Sequence, residues 1–280
     1  MTSKNFADYI GIGPTSELNL RVSVATLARV TFAHPEDARP MLALEHKAFL
    51  DRNGAEQQVR LQVQPFGGAI QILQVDRLLE VVDSFNFDSH RSRSESDFRI
   101  YIRPADWPAV QDYCLENFRQ KVGSNLESDP DRELVEEFND ALGIDLMPDH
   151  YGVRVVNTVL ENKPAATDNI HAAGRSTVRI YRVFEATILQ DALAKRMLAN
   201  SRSHSPDILH NMVLQDARNG GPGRANAIYV TPMGDIRDAY LALPPTSREQ
   251  PLNFEDVILE GNVPVILQDV SIPKFRYMRG

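Results

Sequence analysis

Four charged side chains within six residues form the part of this sequence best suited to chemistry. They are Arg132, Glu133, Glu136 and Glu137, in the order Arg-Glu-Leu-Val-Glu-Glu. On a helix, glutamates three and four residues apart share one flank and repel one another, at about 0.2–0.5 kcal/mol per close pair. A divalent cation would relieve that repulsion, and carboxylate oxygens are ligands that suit Mg²⁺ or Mn²⁺. The alternative interpretation is a solvated acidic face that binds no ion.

The flanking residues predict the helix that must position these carboxylates. Asp129 suits an N-cap, Pro130 suits the first helical position, and Gly143 suits the residue after the last turn. Apolar residues recur along one face at helical spacing, namely Leu134, Phe138, Ala141 and Leu142. We therefore expect an amphipathic helix over 129–143, with Arg132 placed to pair with the glutamate four residues later.

The same six residues carry a resemblance to a known family. Their order resembles the second half of the Nudix box, and Gly67-Gly68 resembles the glycines that open that box. Gly68 precedes Arg132 by 64 positions, so the box is split by an insertion at about 69–127. This arrangement is similar to the interrupted Nudix-like domains of the SMODS-associated group, found in bacterial nucleotide-signalling defence systems. Counting back from Arg132, the first glutamate of the family's box falls on Ser124.

The resemblance implies a fold, an activity and a set of site residues. The fold would be α/β (α+β): a Nudix-like α/β/α sandwich with a mixed sheet, a core over 1–200 and a C-terminal extension, 201–280, packed on it. The activity would be Mg²⁺-dependent (or Mn²⁺-dependent) cleavage of a nucleoside diphosphate linked to another moiety. The implied residues are the metal ligands Glu133, Glu136 and Glu137, the orienting Arg132, and Gly67 and Gly68 beside the substrate. Both halves of the split box should converge, and the insertion should leave and re-enter the core at neighbouring points.

A strand predicted at 177–187 supplies further candidates. Arg179 and Arg182 are candidates for the substrate side, and Glu185 is a candidate general base or metal ligand. Glu161 is the second candidate for the base. The alternative for Glu185 is an exposed strand glutamate without a catalytic role.

Periodicity and turn signals predict the elements around these residues. Three antiparallel strands should lead to the glycine pair, at 21–34, 41–44 and 59–63. Within the insertion we expect a helix over 72–82, a polar loop over 89–96 inside a segment, 84–96, that is poorly ordered without ligand, a strand over 97–102, and a helix opened by Pro104 that buries Trp107 and Cys114. Beyond the box, we expect strands at 153–160 and 177–187, helices at 191–201 and 207–216, and short strands at 227–230, 257–259 and 263–270.

Composition excludes several classes of protein. A net charge of −8 argues against a nucleic-acid backbone as the partner, because such binding needs basic surface. One cysteine, Cys114, excludes an intramolecular disulfide and a cysteine-based zinc site. No apolar segment follows Met1 and no long apolar run occurs, so we expect a soluble cytoplasmic protein with no membrane partner and a small-molecule nucleotide as substrate or ligand.

Three functional hypotheses remain open at this stage. The first is a Nudix-type hydrolase. The second is a catalytically weak or inactive Nudix-like module that binds a nucleotide signal, a reading suggested by Ser124 at the position of the box's first glutamate. The third is an α+β protein with an acidic helix and no site there.

Overall fold

The protein is described here by a computed structural model. It describes residues 10–51, 58–120, 124–127, 129–166, 172 and 174–233, and the backbone of two short strands at 258–260 and 275–278. The strand expected at 263–270 lies outside the described residues.

The chain combines a curled mixed sheet with helices, which confirms the predicted α/β (α+β) fold class. The strands are β1 (Ile10–Ile12), β2 (Leu20–Ala33), β3 (Pro40–Asp51), β4 (Gln58–Gln64), β5 (Phe85–Phe87), β6 (Arg99–Ile102), β7 (Tyr151–Ala166), β8 (Ser176–Ile188), β9 (Arg224–Pro232), β10 (Ile258–Glu260) and β11 (Phe275–Met278). The helices are α1 (Val75–Leu79), α2 (His90–Glu95), α3 (Trp107–Arg119), α4 (Asp131–Leu142), α5 (Asp191–Ser203) and α6 (Pro206–Arg218).

The long strand β2 organises a curled, mixed sheet. One edge of β2 pairs in parallel with β8 from Arg21 to Thr31, and β8 pairs antiparallel with β7. Two strands share the opposite edge of β2: β6 pairs with the first residues of β2, and β3 pairs with its last residues. Between those two partners, the segment 66–69 bonds to β2 through the isolated bridges at Ala25 and Ala28. The glycine pair therefore lies within the sheet.

Buried apolar side chains fill both faces of this sheet. The even-numbered residues of β8 face the helices, with Val178 and Ile180 in a cluster that includes α3, and Phe184 and Ala186 in a cluster that includes α4 and α5. Because successive side chains of a strand point to opposite faces, the odd-numbered residues of β8 face the other way. There Val183 packs with Leu44 of β3 and other apolar residues of β3, β4 and β7.

Two predictions inside the insertion are wrong. The helix expected over 72–82 is limited to α1, because Ile72 instead forms a β-bridge with Leu126. The loop expected over 89–96 contains helix α2, whose first turn is capped by the Ser89 hydroxyl accepting from the Ser92 amide at 3.1 Å. The strand and the helix that follow form as predicted, and Trp107 and Cys114 are buried.

The region assigned to a C-terminal extension continues the sheet. Strand β9 pairs antiparallel with β3 over nine residues, and the boundary expected at residue 200 falls inside α5. Within the described part of the chain, no helix has the length and apolar character needed to cross a membrane.

Candidate functional site

Helix α4 holds the three glutamates as the sequence predicts. It begins at Asp131, two residues later than expected, and Gly143 ends it in the left-handed conformation with φ of 62°. Leu134 and Phe138 are fully buried in the same cluster as Phe66. The ring centroids of Phe66 and Phe138 lie 5.1 Å apart. This packing fixes the helix against the segment that carries the glycine pair.

The two halves of the split box meet, which confirms the predicted convergence. The carboxylate of Glu133 lies so close to Gly68 that a Cβ atom there would overlap both carboxylate oxygens. Gly67 has φ of +145°, and a Cβ on it would overlap the backbone carbonyl of Thr26. The Gly68 carbonyl accepts a hydrogen bond from the Thr26 amide at 3.0 Å. Side chains at these two glycines are therefore disfavoured by the sheet on one side and by Glu133 on the other.

The ends of the insertion lie side by side, also as predicted. Gln71 and Glu127 pair through their backbones at 3.0 Å, next to the bridge between Ile72 and Leu126. The insertion therefore departs from the core and returns to it at one place, immediately beside the site. Its helix α3 packs in the cluster formed with β5 and β6, and not in the one that contains α4.

Arg132 joins both halves of the split box to the end of the insertion. Its guanidinium donates to the Ala69 carbonyl at 2.8 Å and to both carboxylate oxygens of Glu127 at 3.0 and 2.9 Å. It also lies 2.8 Å from Glu133 and 3.3 Å from Glu136. Burial alone would lower the pKa of Arg132, but these carboxylates more than offset that effect and raise it. Arg132 therefore stays charged and orients the acidic groups around it.

A second cation reaches the site from the sheet. Lys47 on β3 lies 2.6 Å from Oε1 of Glu45 and donates to Oε1 of Glu137 at 3.0 Å. Glu45 is fully buried, and its other oxygen accepts from the Gln64 amide group of β4 at 2.8 Å. The polar patch of Glu45, Lys47 and Gln64 thus continues the acidic flank of α4 onto the face of β3 and β4.

Burial makes the central glutamate difficult to ionise. Glu133 is 8% exposed, and its pKa is raised to about 7, chiefly by burial and further by the nearby Glu136, Glu137 and Asp97, against the opposing effect of Arg132. Burial likewise raises the pKa of Asp97 to about 6. A cation placed among these groups would therefore be stabilised by several carboxylates at once.

The carboxylates on this flank of α4 are the ligand type that hard divalent cations prefer. Oε2 of Glu137 is buried without a hydrogen-bond partner among the described residues, so one carboxylate oxygen remains available for a ligand. Glu136, 57% exposed, lies on the same flank of the helix. As the side chains lie here, no group of three or more His, Cys, Asp or Glu residues in the described ranges could hold a metal ion. Arg132 and Lys47 supply the positive charge among the carboxylates instead.

The candidate base Glu185 is not brought to these glutamates. It lies between Phe184 and Ala186, which pack in the same cluster as α4, so its own side chain points to the opposite face of β8. There it pairs with Arg29 of β2 and with Arg154 of β7, the latter at 2.9 Å. Burial would raise the pKa of Glu185, but the two arginines lower it overall. A carboxylate held in this way is a poor proton acceptor at neutral pH.

The two arginines predicted on the substrate side are also engaged elsewhere. Arg179 donates to Glu161 at 2.8 Å, and that pair joins β8 to β7. Arg182 is buried beneath α3, where it donates to the Phe118 carbonyl at 3.0 Å and lies over the Phe118 ring. Glu161, the second candidate base, is 2% exposed and accepts the hydrogen bond from Arg179.

Residues that sequence reasoning missed include Glu45, Lys47, Gln64 and Glu127. Glu45 and Lys47 stand at alternate positions of a largely apolar strand, with His46 between them, and Gln64 stands four residues before Gly68. That alternation was a usable signal, because two charged residues on one face of a buried strand need a polar neighbour. Glu127 stands three residues after Ser124, out of register with the position of the first glutamate in the family's pattern.

Comparison with known proteins adds no assignment: no protein-family model, no curated protein and no solved structure matches the chain.

Proposed function

We propose that this protein is a Mg²⁺-dependent (or Mn²⁺-dependent) hydrolase of the Nudix type that cleaves a nucleoside diphosphate linked to another moiety. The observation that carries the proposal is the contact between Gly68 and Glu133. A box split by more than sixty residues can work only if its halves meet, and here the glycine backbone lies against the first glutamate of the Arg-Glu segment. The location that goes with such a nucleotide substrate is the cytoplasm.

In this proposal Glu133, Glu136 and Glu137 hold the metal. The bound ion would polarise the diphosphate and lower the pKa of an attacking water. Arg132 keeps the glutamates in place by its ion pairs with Glu133 and Glu136. Gly68 leaves the space that the Glu133 carboxylate needs, since any side chain there would fill it.

A second candidate function is a Nudix-like module that binds a nucleotide signal without turnover, for example in bacterial defence signalling. One observation favours it: Arg132 and Lys47 already neutralise part of the acidic cluster. Such internal pairing reduces the need for a metal ion. Ser124, at the position of the family's first glutamate, also supplies no carboxylate.

Hydrolysis of a panel of nucleoside diphosphate conjugates, measured as release of nucleoside monophosphate with and without Mg²⁺, tests the proposal. Glu137→Gln should lower kcat at least a hundredfold while the protein stays folded, because it removes a charged ligand and leaves the helix intact. Glu116→Gln, at an exposed position of α3, is the matched control and should keep full turnover. Equal turnover by Glu137→Gln and wild type would contradict the catalytic proposal. Binding of a nucleotide without metal-dependent cleavage would support the second candidate.

The same assay tests whether Glu185 is the general base. Glu185→Gln should retain turnover, since its carboxylate lies on the face of β8 away from α4. Loss of turnover in a folded Glu185→Gln variant would return the general-base role to this residue.

A further inference from the structure

Lys47 is held in an arrangement that a purely structural lysine does not need. Its stem lies on β3 beside the fully buried Glu45, while its ammonium reaches across to Glu137 on α4. The side chain remains 31% exposed, so the ammonium is anchored from below and open to solvent on another side.

The hydrogen-bonding capacity of this ammonium is only partly used. A lysine ammonium carries three donors. Oε1 of Glu137 accepts one of them at 3.0 Å, whereas Oε1 of Glu45, 2.6 Å away, is an ion-pair partner that accepts no hydrogen bond. The two remaining donors belong to a group that keeps contact with solvent beside the acidic flank of α4.

The contact with Glu137 also competes with a metal ion. Glu137 is one of the proposed ligands, and its Oε1 is occupied by Lys47 while its Oε2 has no hydrogen-bond partner among the described residues. A divalent cation that binds Glu137 repels the nearby ammonium. Gln64 of β4 holds Glu45 in place by a hydrogen bond. Glu45 in turn keeps the displaced lysine at the edge of the site.

We propose that Lys47 binds a phosphate group of the diphosphate, and that it is released for this role when a divalent cation takes over Glu137. The inference rests on the proposed function of the site. In the metal-free protein Lys47 serves as a counter-ion for Glu137. In the metal-loaded protein it would position the substrate.

Two binding measurements on Lys47→Met test this inference without relying on turnover. The first is titration calorimetry with Mn²⁺ alone. The variant should bind Mn²⁺ roughly tenfold more tightly, because a competing positive charge has been removed. The second is titration with methylenediphosphonate, a diphosphate that cannot be hydrolysed, at saturating Mn²⁺. Here the variant should bind roughly tenfold to a hundredfold more weakly, as expected for loss of a hydrogen bond from a charged donor.

Lys195→Met, which removes an exposed lysine from α5, is the matched control and should change neither affinity. A folding defect in Lys47→Met is a separate concern, since the substitution leaves Glu45 buried without its cation. The paired replacement of Glu45→Gln with Lys47→Met removes both charges, and it should show the same opposed changes.

Opposed changes in the two affinities support the inference, because a lysine that serves only as a counter-ion for Glu137 would tighten Mn²⁺ binding when removed and leave the affinity for methylenediphosphonate unchanged. If wild type binds Mn²⁺ and Lys47→Met leaves the affinity for methylenediphosphonate unchanged, the inference is overturned and the proposed function stands. If wild type binds no Mn²⁺ and cleaves no diphosphate, the proposed function itself fails, and the inference falls with it.

Discussion

Replacing Glu133 with glutamine should make the metal-free protein more stable at alkaline pH. Burial is the main reason that the pKa of Glu133 is raised from its ordinary value of 4.5 to about 7 in the folded protein. The folded state therefore binds this proton more tightly than the unfolded state does. The resulting stability is present at low pH and is lost as pH rises from about 4.5 to about 7.

The magnitude follows from the size of the shift. At about 1.4 kcal/mol per pKa unit, a rise from 4.5 to about 7 corresponds to about 3 kcal/mol of lost stability above pH 7. Glutamine avoids this cost but weakens the contact with Arg132, which lies 2.8 Å away. We therefore expect Glu133→Gln to raise the free energy of unfolding by about 1–2 kcal/mol at pH 8.5 and to leave it nearly unchanged at pH 4.

Urea unfolding in EDTA provides the assay, followed by the fluorescence of Trp107, the only tryptophan. Glu136→Gln is the matched control, because it is the same substitution on the same helix at a site that is 57% exposed, and its effect should stay below about 0.5 kcal/mol. The reasoning is refuted if Glu133→Gln and Glu136→Gln have equal stability at pH 8.5. Added Mg²⁺ should stabilise wild type at that pH by mass action, and Glu133→Gln less.

Two further predictions concern the glycine contact and a buried histidine. Gly68→Ala should lower the free energy of unfolding by about 1–2 kcal/mol, because the added Cβ overlaps the Glu133 carboxylate. In a double-mutant cycle with Glu133→Ala, which removes that overlap, the coupling energy should be at least about 1 kcal/mol. Additive effects of the two substitutions would show that the residues are not in contact. His46 has its pKa lowered from 6.5 to about 4, first by burial and then by His204, so it contributes about 3 kcal/mol of stability that is present above pH 6.5 and lost as pH falls towards 4. His46→Phe, which keeps an aromatic ring beside Tyr229, should make stability less sensitive to acid over that range in urea unfolding, and an unchanged acid dependence would contradict this.

Local signals accounted for most of the fold. Helix α4 was predictable because its stop residue and its apolar stripe agree on one helix, and α3, α5 and α6 follow from the same kind of periodicity. Helix α2 was not, because six polar residues give no apolar period and a serine cap is equally typical of a turn. Its buried residue, Ser92, donates to Asp88, and Asp88 in turn accepts from Arg21 of β2, 67 residues away, a contact that no local rule reveals.

The candidate site was predictable only where its residues are close in sequence or share a motif. The glutamates of α4 and the glycine pair came from one pattern, and the structure brings Gly68 to Glu133. The face on which Glu185 lies depends on which side of β8 packs against helices, and the alternation of that strand is compatible with either choice. Lys47 reaches Glu137 across ninety residues, so their pairing is set by tertiary packing alone.

The pairing of Gln71 with Glu127 has a consequence for how the site assembles during folding. Arg132 holds Glu127 and the Ala69 carbonyl at the same time, so the geometry of the glutamates depends on a clamp between the two ends of the insertion. Contacts between residues so distant in sequence form late, because the loop between them must lose conformational entropy as it closes before the contacts can stabilise the fold. The nascent chain can thus complete helix α4 while its carboxylates still lack their neighbours. The site would then reach its final geometry in the last stage of folding, when the two ends of the insertion pair and the glycine backbone meets Glu133.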